Sequence, residues 1–264
     1  MSTETRELLA QFQIPNKTLT GEREITDLSD VDTAFGNYIL EIFTGIRITD
    51  QRRESDPFRA FLARDPKDRV FVGEYDTPMD LVNAITKAKE GRKGEHGKNI
   101  NHNALPVIHV SRSVDFGMFD TDAYIDIENI GTLVRTEGTA RQLAYAIVNK
   151  SFVKFTYTVV LISDEKHSLS MMSTTLATYM RRSTRKRTKT FQAKTRLGGA
   201  PVMLNTEVEF PMEVSFASQS VSRDEGRLYA NAIAIDVVSE ILEAEFIEPV
   251  NTTVRVYGSV LHER

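Results

Sequence analysis

A chain of 264 residues, 41% hydrophobic and 27% charged, is long enough to bury a substantial core and has the make-up of a soluble globular protein. Its net charge of −4 and pI near 5.8 exclude a basic footprint over a whole domain, so any contact with nucleic acid has to be local. The absence of cysteine excludes disulfides, thiol catalysis and thiolate metal sites and fits a reducing cytosol, and no apolar run approaches the roughly 20 residues that span a bilayer.

The first 30 residues are polar and lack the basic-then-apolar order of a signal peptide. They suggest an N-terminal arm, with a short helical turn around Glu7 to Phe12. Asp30 or Asp32 can cap the helix that follows, whose apolar positions Phe35, Tyr38, Ile39, Ile42 and Phe43 recur at three- and four-residue spacing. GIRIT then suggests a short strand. RVFVGEYDTP (69–78) alternates as a strand, with Val70 and Val72 on one side and Phe71 on the other. Thr77 as N-cap and Pro78 in the first turn open a helix with Leu81, Val82 and Ile85 on its apolar face.

The glycine- and charge-rich stretch 87–103 reads as an exposed loop, and ALPVIHVSRSV as a strand. DTDAYIDIENIG alternates like a strand, whereas TARQLAYAIVNK (139–150) has the pattern of a helix. KFTYTVVLIS (154–163) is rich in β-branched and aromatic residues and suits a central strand. Asp164 or Ser168 can cap the next helix, which carries Leu169, Met172, Leu176, Tyr179 and Met180. APVMLNTEVEFPMEVSF (200–216) alternates through Val208, Phe210, Met212, Val214 and Phe216, and Pro211 favours an edge or a bulge. In 226–249 the β-branched density favours a strand over the first half, and TTVRVYGSVL closes the chain as another. The whole is an α+β chain with a mixed, largely antiparallel sheet covered by a few helices: an arm over 1–30, then one domain over 31–264.

Chemistry-bearing motifs are scarce. His96, His102 and His109, with Asp115 beyond, match no metal-ligand spacing. GRKGEHGKN has Arg92 where a phosphate-binding loop needs glycine and Asn99 where it needs Ser or Thr. No GxSxG elbow is present, and nothing in the sequence calls for an enzyme, metal or cofactor. What stands out is RRSTRKRTKT (181–190), with Arg181, Arg182, Arg185, Lys186, Arg187 and Lys189 within ten positions. Such a run suits salt-sensitive attraction to phosphate, complements the carbonyl end of the preceding helix, or faces an acidic protein. Only Tyr179 and Phe191 flank it, too few aromatics for a base-stacking platform.

The order FGNYILEIFTGIRI (35–48), RVFVGEYDTPMDLVNAI (69–85), NALPVIHVS (103–111), KFTYTVVLISDEKHSLSMMSTTLATYM (154–180) and a final hairpin over roughly 200–240 resembles the proximal tail-sheath stabiliser and tail-terminator proteins of contractile-tailed bacteriophages, including the T-even type. The likeness covers about two-thirds of the chain as an order of elements and leaves out 1–30 and an insertion at about 112–150. It implies a virion structural protein and not an enzyme: a ring, expected to be a homohexamer, that caps the tail tube, stops polymerisation, anchors the last sheath ring and meets the neck proteins. Viral DNA would pass through its lumen. Tube, sheath and neck proteins and further copies of the chain are then the partners, no cofactor is needed, and the protein is made in the host cytoplasm and ends in the virion tail. Strand 200–216, with Val208, Phe210, Met212, Val214 and Phe216, becomes a candidate for pairing across subunits. A lumen that held DNA tightly would hinder ejection, so the basic run is expected to dock protein. The alternatives are a nucleic-acid-binding protein that grips through 181–196, a head-side connector or adaptor, and an enzyme without a recognised motif.

Overall fold

A computed structural model describes residues 18–49, 52–90, 104–118, 124–137, 141–181, 189–209, 211, 213–223 and 226–252. Two strands dominate it. β5 (Arg141–Ser163) and β10 (Gly226–Thr252) are antiparallel and pair residue for residue from Tyr229 opposite Ser163 to Phe246 opposite Ala146. Beside β5 lie β3 (Val107–Met118) and, further along the same side, β4 (Ile127–Glu137). β2 (Val70–Val72) adds to the start of β3 in the sheet's one parallel pairing among the described residues. Beyond β10 come β7 (Ala200–Glu209) and then β6 (Thr190–Leu197), giving the order β2-β3-β5-β10-β7-β6. β1 (Leu19–Ile25), β8 (Ala217–Ser218) and β9 (Val221–Arg223) also pair with β10.

Apolar residues on both faces explain the central position of β5. Val153, Phe155, Tyr157, Val159 and Leu161 enter the main core, while Val160 and Ile162 enter a second core on the opposite face. Nearer the β4–β5 hairpin the main core instead takes Ala146 and Val148, and β10 changes in step from Ile233, Ile235 and Val237 to Leu242 and Ala244. The register runs unbroken through this change, so the two strands turn over together, with the small, fully buried Ser239 at the crossing. One curled sheet thereby wraps the main core. A bulge at Tyr145, where β5 takes two steps for one step of β4, aims the Tyr145 hydroxyl at the Gly198 carbonyl oxygen (2.9 Å) and ties the ribbon to the β6–β7 hairpin. That hairpin turns through Gly198 and Gly199 at φ +57° and +79°, the left-handed pair that a tight two-residue turn requires.

Three helices cover the main core and one covers the second. α1 (Ser29–Ile42) buries Val31, Phe35, Tyr38, Ile39 and Ile42, and its Phe35 ring stacks on Tyr157 at 3.9 Å. α2 (Asp56–Ala63) adds Phe58 and Phe61, and α4 (Lys166–Arg181) adds Leu169, Met172, Leu176 and Met180. α3 (Pro78–Glu90) lays Leu81, Val82 and Ile85 on the other face, against Val160 and Ile162. Its start is the expected one: Thr77 Oγ1 accepts the Asp80 N–H (3.2 Å) while the Asp80 carboxylate accepts the Thr77 N–H (3.1 Å).

Several expectations need correction. Of the helix expected over 139–150, residues 141–150 belong instead to β5, and Leu143, Ala144, Ala146, Ile147 and Val148 are all buried because both faces of the sheet are covered here; residues 139 and 140 lie outside the described residues. An apolar run of that kind carries no periodicity that separates helix from strand. β10 is a strand throughout, not over its first half alone. Leu19–Ile25, expected within an arm, is a strand on β10, and Ile46–Ile48 form no strand. Neither Asp30 nor Asp32 caps α1: the N-cap position falls to Leu28, and Asp27 just before it accepts the Ser29 N–H (2.9 Å) and hydroxyl (2.5 Å). Ahead of α4 the Ser163 hydroxyl oxygen accepts the Glu165 N–H (3.1 Å), and Ser168 lies inside the helix. Of the loop expected over 87–103, residues 87–90 are the last turn of α3; 91–103, the helical turn at Glu7–Phe12 and the closing strand from 253 lie outside the described residues.

Gly36 marks where α1 crosses β2, for a Cβ there would overlap Val72 Cγ2. Alanine in place of a helical glycine ordinarily stabilises by about 1 kcal/mol, but here the overlap costs about 1–3 kcal/mol. Gly36→Ala should therefore lower the urea midpoint in the natural background and raise it in a Val72→Ala background, a sign change that a double-mutant cycle reads directly.

Candidate functional site

The basic run is only partly visible. Arg181 ends α4 and is exposed; Lys189 leads exposed into β6, its carbonyl oxygen accepting the Val208 N–H at 2.7 Å. Arg182, Arg185, Lys186 and Arg187 lie outside the described residues. The strand proposed to pair across subunits requires correction. Val208 is fully buried and sits on β7 between β10 and β6, opposite Val237, so it offers no edge. β7 ends at Glu209; Val214 and Phe216 follow in irregular chain packed on the main core, while Phe210 and Met212 lie outside the described residues. Alternation identified a strand there but carried no information on its place in the sheet.

His109 sits on β3 and is 3% exposed. Its Nε2–H donates to the Gly73 carbonyl oxygen (2.7 Å), and its ring meets Tyr75 edge-on. Burial pushes its pKa below the usual imidazole range, so it is a neutral packing residue that ties the end of β2 to β3. His96 and His102 lie outside the described residues, and among those described no group of three His, Asp or Glu is placed to hold a metal. Asp115 is exposed on β3.

The most connected polar centre is Asp32 on α1. One carboxylate oxygen accepts from Arg112 Nε at 2.8 Å and from the Tyr157 hydroxyl at 2.7 Å. Burial, and then the bond to Asp32, pushes the Tyr157 hydroxyl far up, which keeps it a donor. Arg112 also lies over the Phe155 ring, 5.6 Å from its centre. The arrangement clamps α1 to β3 and β5.

Two surface features remain. A cleft of about 420 Å³ opens between α1 and β6, with Asp30, Asn37, Tyr38, Glu41, Phe191 and Lys194 among its lining. Tyr38 and Phe191 stack there at 5.5 Å, and burial raises the Tyr38 hydroxyl. The second is an apolar row that sequence reasoning missed. Val114, Phe116 and Met118 on β3 are 82%, 60% and 59% exposed, and Ile125 and Ile127 at the start of β4 are also exposed. Alternation in VDFGM and YIDIE marks a strand with one apolar side, but nothing local says that this side is left uncovered.

The chain matches no protein-family model and no curated protein. No helix among the described residues is long and apolar enough to cross a membrane.

Because His109 is neutral when folded and titrates near 6.5 when unfolded, its contribution to stability is complete above that value. It is lost as pH falls from there towards the lower folded value. The urea midpoint should therefore drop on acidification from about pH 7 to pH 5, and His109→Gln should flatten that part of the profile.

Proposed function

We propose that this chain is a non-enzymatic subunit of a contractile bacteriophage tail: a ring that caps the tail tube, ends its polymerisation, anchors the last sheath ring and presents a surface to the neck. The order of elements that resembles the tail terminators supports it, with strand, capped helix, central strand and helix over 69–85 and 154–180. The observation that carries it is the edge of β3 beyond Val110, beside which no strand lies among the described residues. Three large apolar side chains stand in solvent there, a surface suited to another protein chain. Such a protein needs no reaction, since a heterologous contact that closes into a ring stops growth by geometry alone.

A second reading has an observation of its own. Residues 166–206 hold nine Lys or Arg and no Asp or Glu, which suits sequence-blind contact with phosphate.

One set of measurements separates the two: solution mass across concentrations, negative-stain images with and without tail tubes, and duplex-DNA shifts at low salt. Rings that seat on tube ends are the expected result. A monomer that caps nothing, yet shifts DNA until Arg185, Lys186 and Arg187 are neutralised, would overturn the proposal in favour of nucleic-acid binding.

A further inference from the structure

The outer edge of β3 changes character along its length. As far as Val110 it is covered: the Ile108 N–H donates to the Arg69 carbonyl oxygen (2.8 Å), and the Val110 carbonyl oxygen accepts the Gly73 N–H (3.1 Å). These two residues therefore turn their backbone groups away from β5, and Leu161 and Val159 opposite them turn theirs towards β10. The irregularity of β3 between Arg112 and Phe116 leaves the β5–β10 register undisturbed. Phe155 and Val153 continue the series of Leu161 and Val159, and Phe116 and Met118 stand opposite them. The N–H and carbonyl groups of Phe116 and Met118 accordingly point outward as well, where no strand among the described residues takes them. Nor does Ser113–Met118 contain the Lys or Pro that commonly protects an edge.

Side chains give this bare stretch a definite chemistry. Phe116 and Met118 lie on the face of Phe155 and Val153, both buried in the main core, so the core surface runs on into solvent. Three exposed acids are interleaved with the apolar row: Asp115 between Val114 and Phe116, and Asp126 and Glu128 on either side of Ile127. No Lys or Arg occurs in 113–118 or 124–134. Cations on the adjoining positions are already engaged, Arg112 by Asp32, Lys150 by Glu240 and Lys154 by Glu209.

We propose that this edge takes an added strand from another protein, an extended segment in which apolar residues alternate with Lys or Arg. The outward groups of Phe116 and Met118 supply the ladder, and the segment's apolar side chains continue the core surface. Its basic side chains meet Asp115, Asp126 and Glu128. The β3 edge of a second copy is the wrong occupant, since it brings Asp115 against its own like, and the same acids repel nucleic acid and anionic membranes. This names a partner for the surface that carries the tail-subunit reading and rests on that reading for the strand's source, a neighbouring protein of the tail.

The test uses the full chain and labelled peptides of about ten residues, the length of a long strand, followed by fluorescence anisotropy. A peptide of alternating Lys and Val should bind roughly tenfold more tightly than one of alternating Glu and Val, a preference that shrinks as salt rises. Asp115→Lys with Asp126→Lys and Glu128→Lys should reverse the order of the two peptides. Met118→Pro deletes an N–H that β5 does not use and should abolish binding, whereas Met118→Ala keeps it and should only weaken binding. Failure of both peptides to bind, equal binding of the two, or binding that survives Met118→Pro would overturn the inference. A wild-type dimer that neither peptide enters would also overturn it, in favour of a second copy on this edge. Rings that cap tubes without binding the Lys–Val peptide would remove the added strand and keep the tail reading. Peptide binding by a chain that caps nothing would keep the strand and remove its assignment to the tail.

Discussion

Everything in this protein hangs on the pairing of β5 with β10. Their register is unbroken over 18 residue pairs, from Tyr229 with Ser163 to Phe246 with Ala146. Among the described residues eight further strands attach directly or through one another to this ribbon, and the helices lie on it. Because the ribbon turns over midway, one core draws on opposite faces of the same two strands, and the β6–β7 hairpin can fold back across the far half. Tyr145 and Glu24 hold it there, through the Gly198 carbonyl oxygen (2.9 Å) and N–H (2.8 Å) respectively. A change of register in the ribbon would exchange faces along both strands at once.

Local chemistry survived well in the sequence. Thr77 and Pro78 at the start of α3, the stripe Phe35–Tyr38–Ile39–Ile42 and the strand 154–163 depend on neighbours a few residues away, and all are found where expected. What was not legible depends on distant partners. Residues 141–150 look helical until β4 and β10 cover their flanks, and the polar LTGEREI at 19–25 is a strand only because β10 lies beside it. The site divides in the same way. The basic run is conspicuous as composition, but the burial of Val208 and the exposure of Phe116 follow from strand order, which no local pattern states.

Charge serves two separate purposes here. Inside, single polar centres fasten elements together: Asp32 joins α1 to β3 and β5, and Glu240 takes Lys150 at 3.3 Å and the Asn205 N–H at 2.9 Å to hold β5, β7 and β10 in place. Outside, charge is grouped along the chain: residues 166–206 hold nine Lys or Arg and no Asp or Glu, and residues 113–134 hold five Asp or Glu and no Lys or Arg. A near-neutral total therefore says little about the field that an approaching molecule meets, which varies across the surface on the scale of a few strands.

β10 is also the last element of the described chain, and β1, β5, β7, β8 and β9 all take their partner from it. On a ribosome that synthesises from the N-terminus, β5 can pair with β3 and β4, and β7 with β6, before β10 has been made, but these two halves stay unjoined. The central sheet is completed only once β10 emerges, through contacts as distant in sequence as Thr26 with Leu242. Nascent chains on one message thus carry unfinished sheets, whose open strands are a hazard while synthesis lasts. Synthesis of β10 acts as a built-in timer: the sheet of each copy stays incomplete until residues 226–252 have been made.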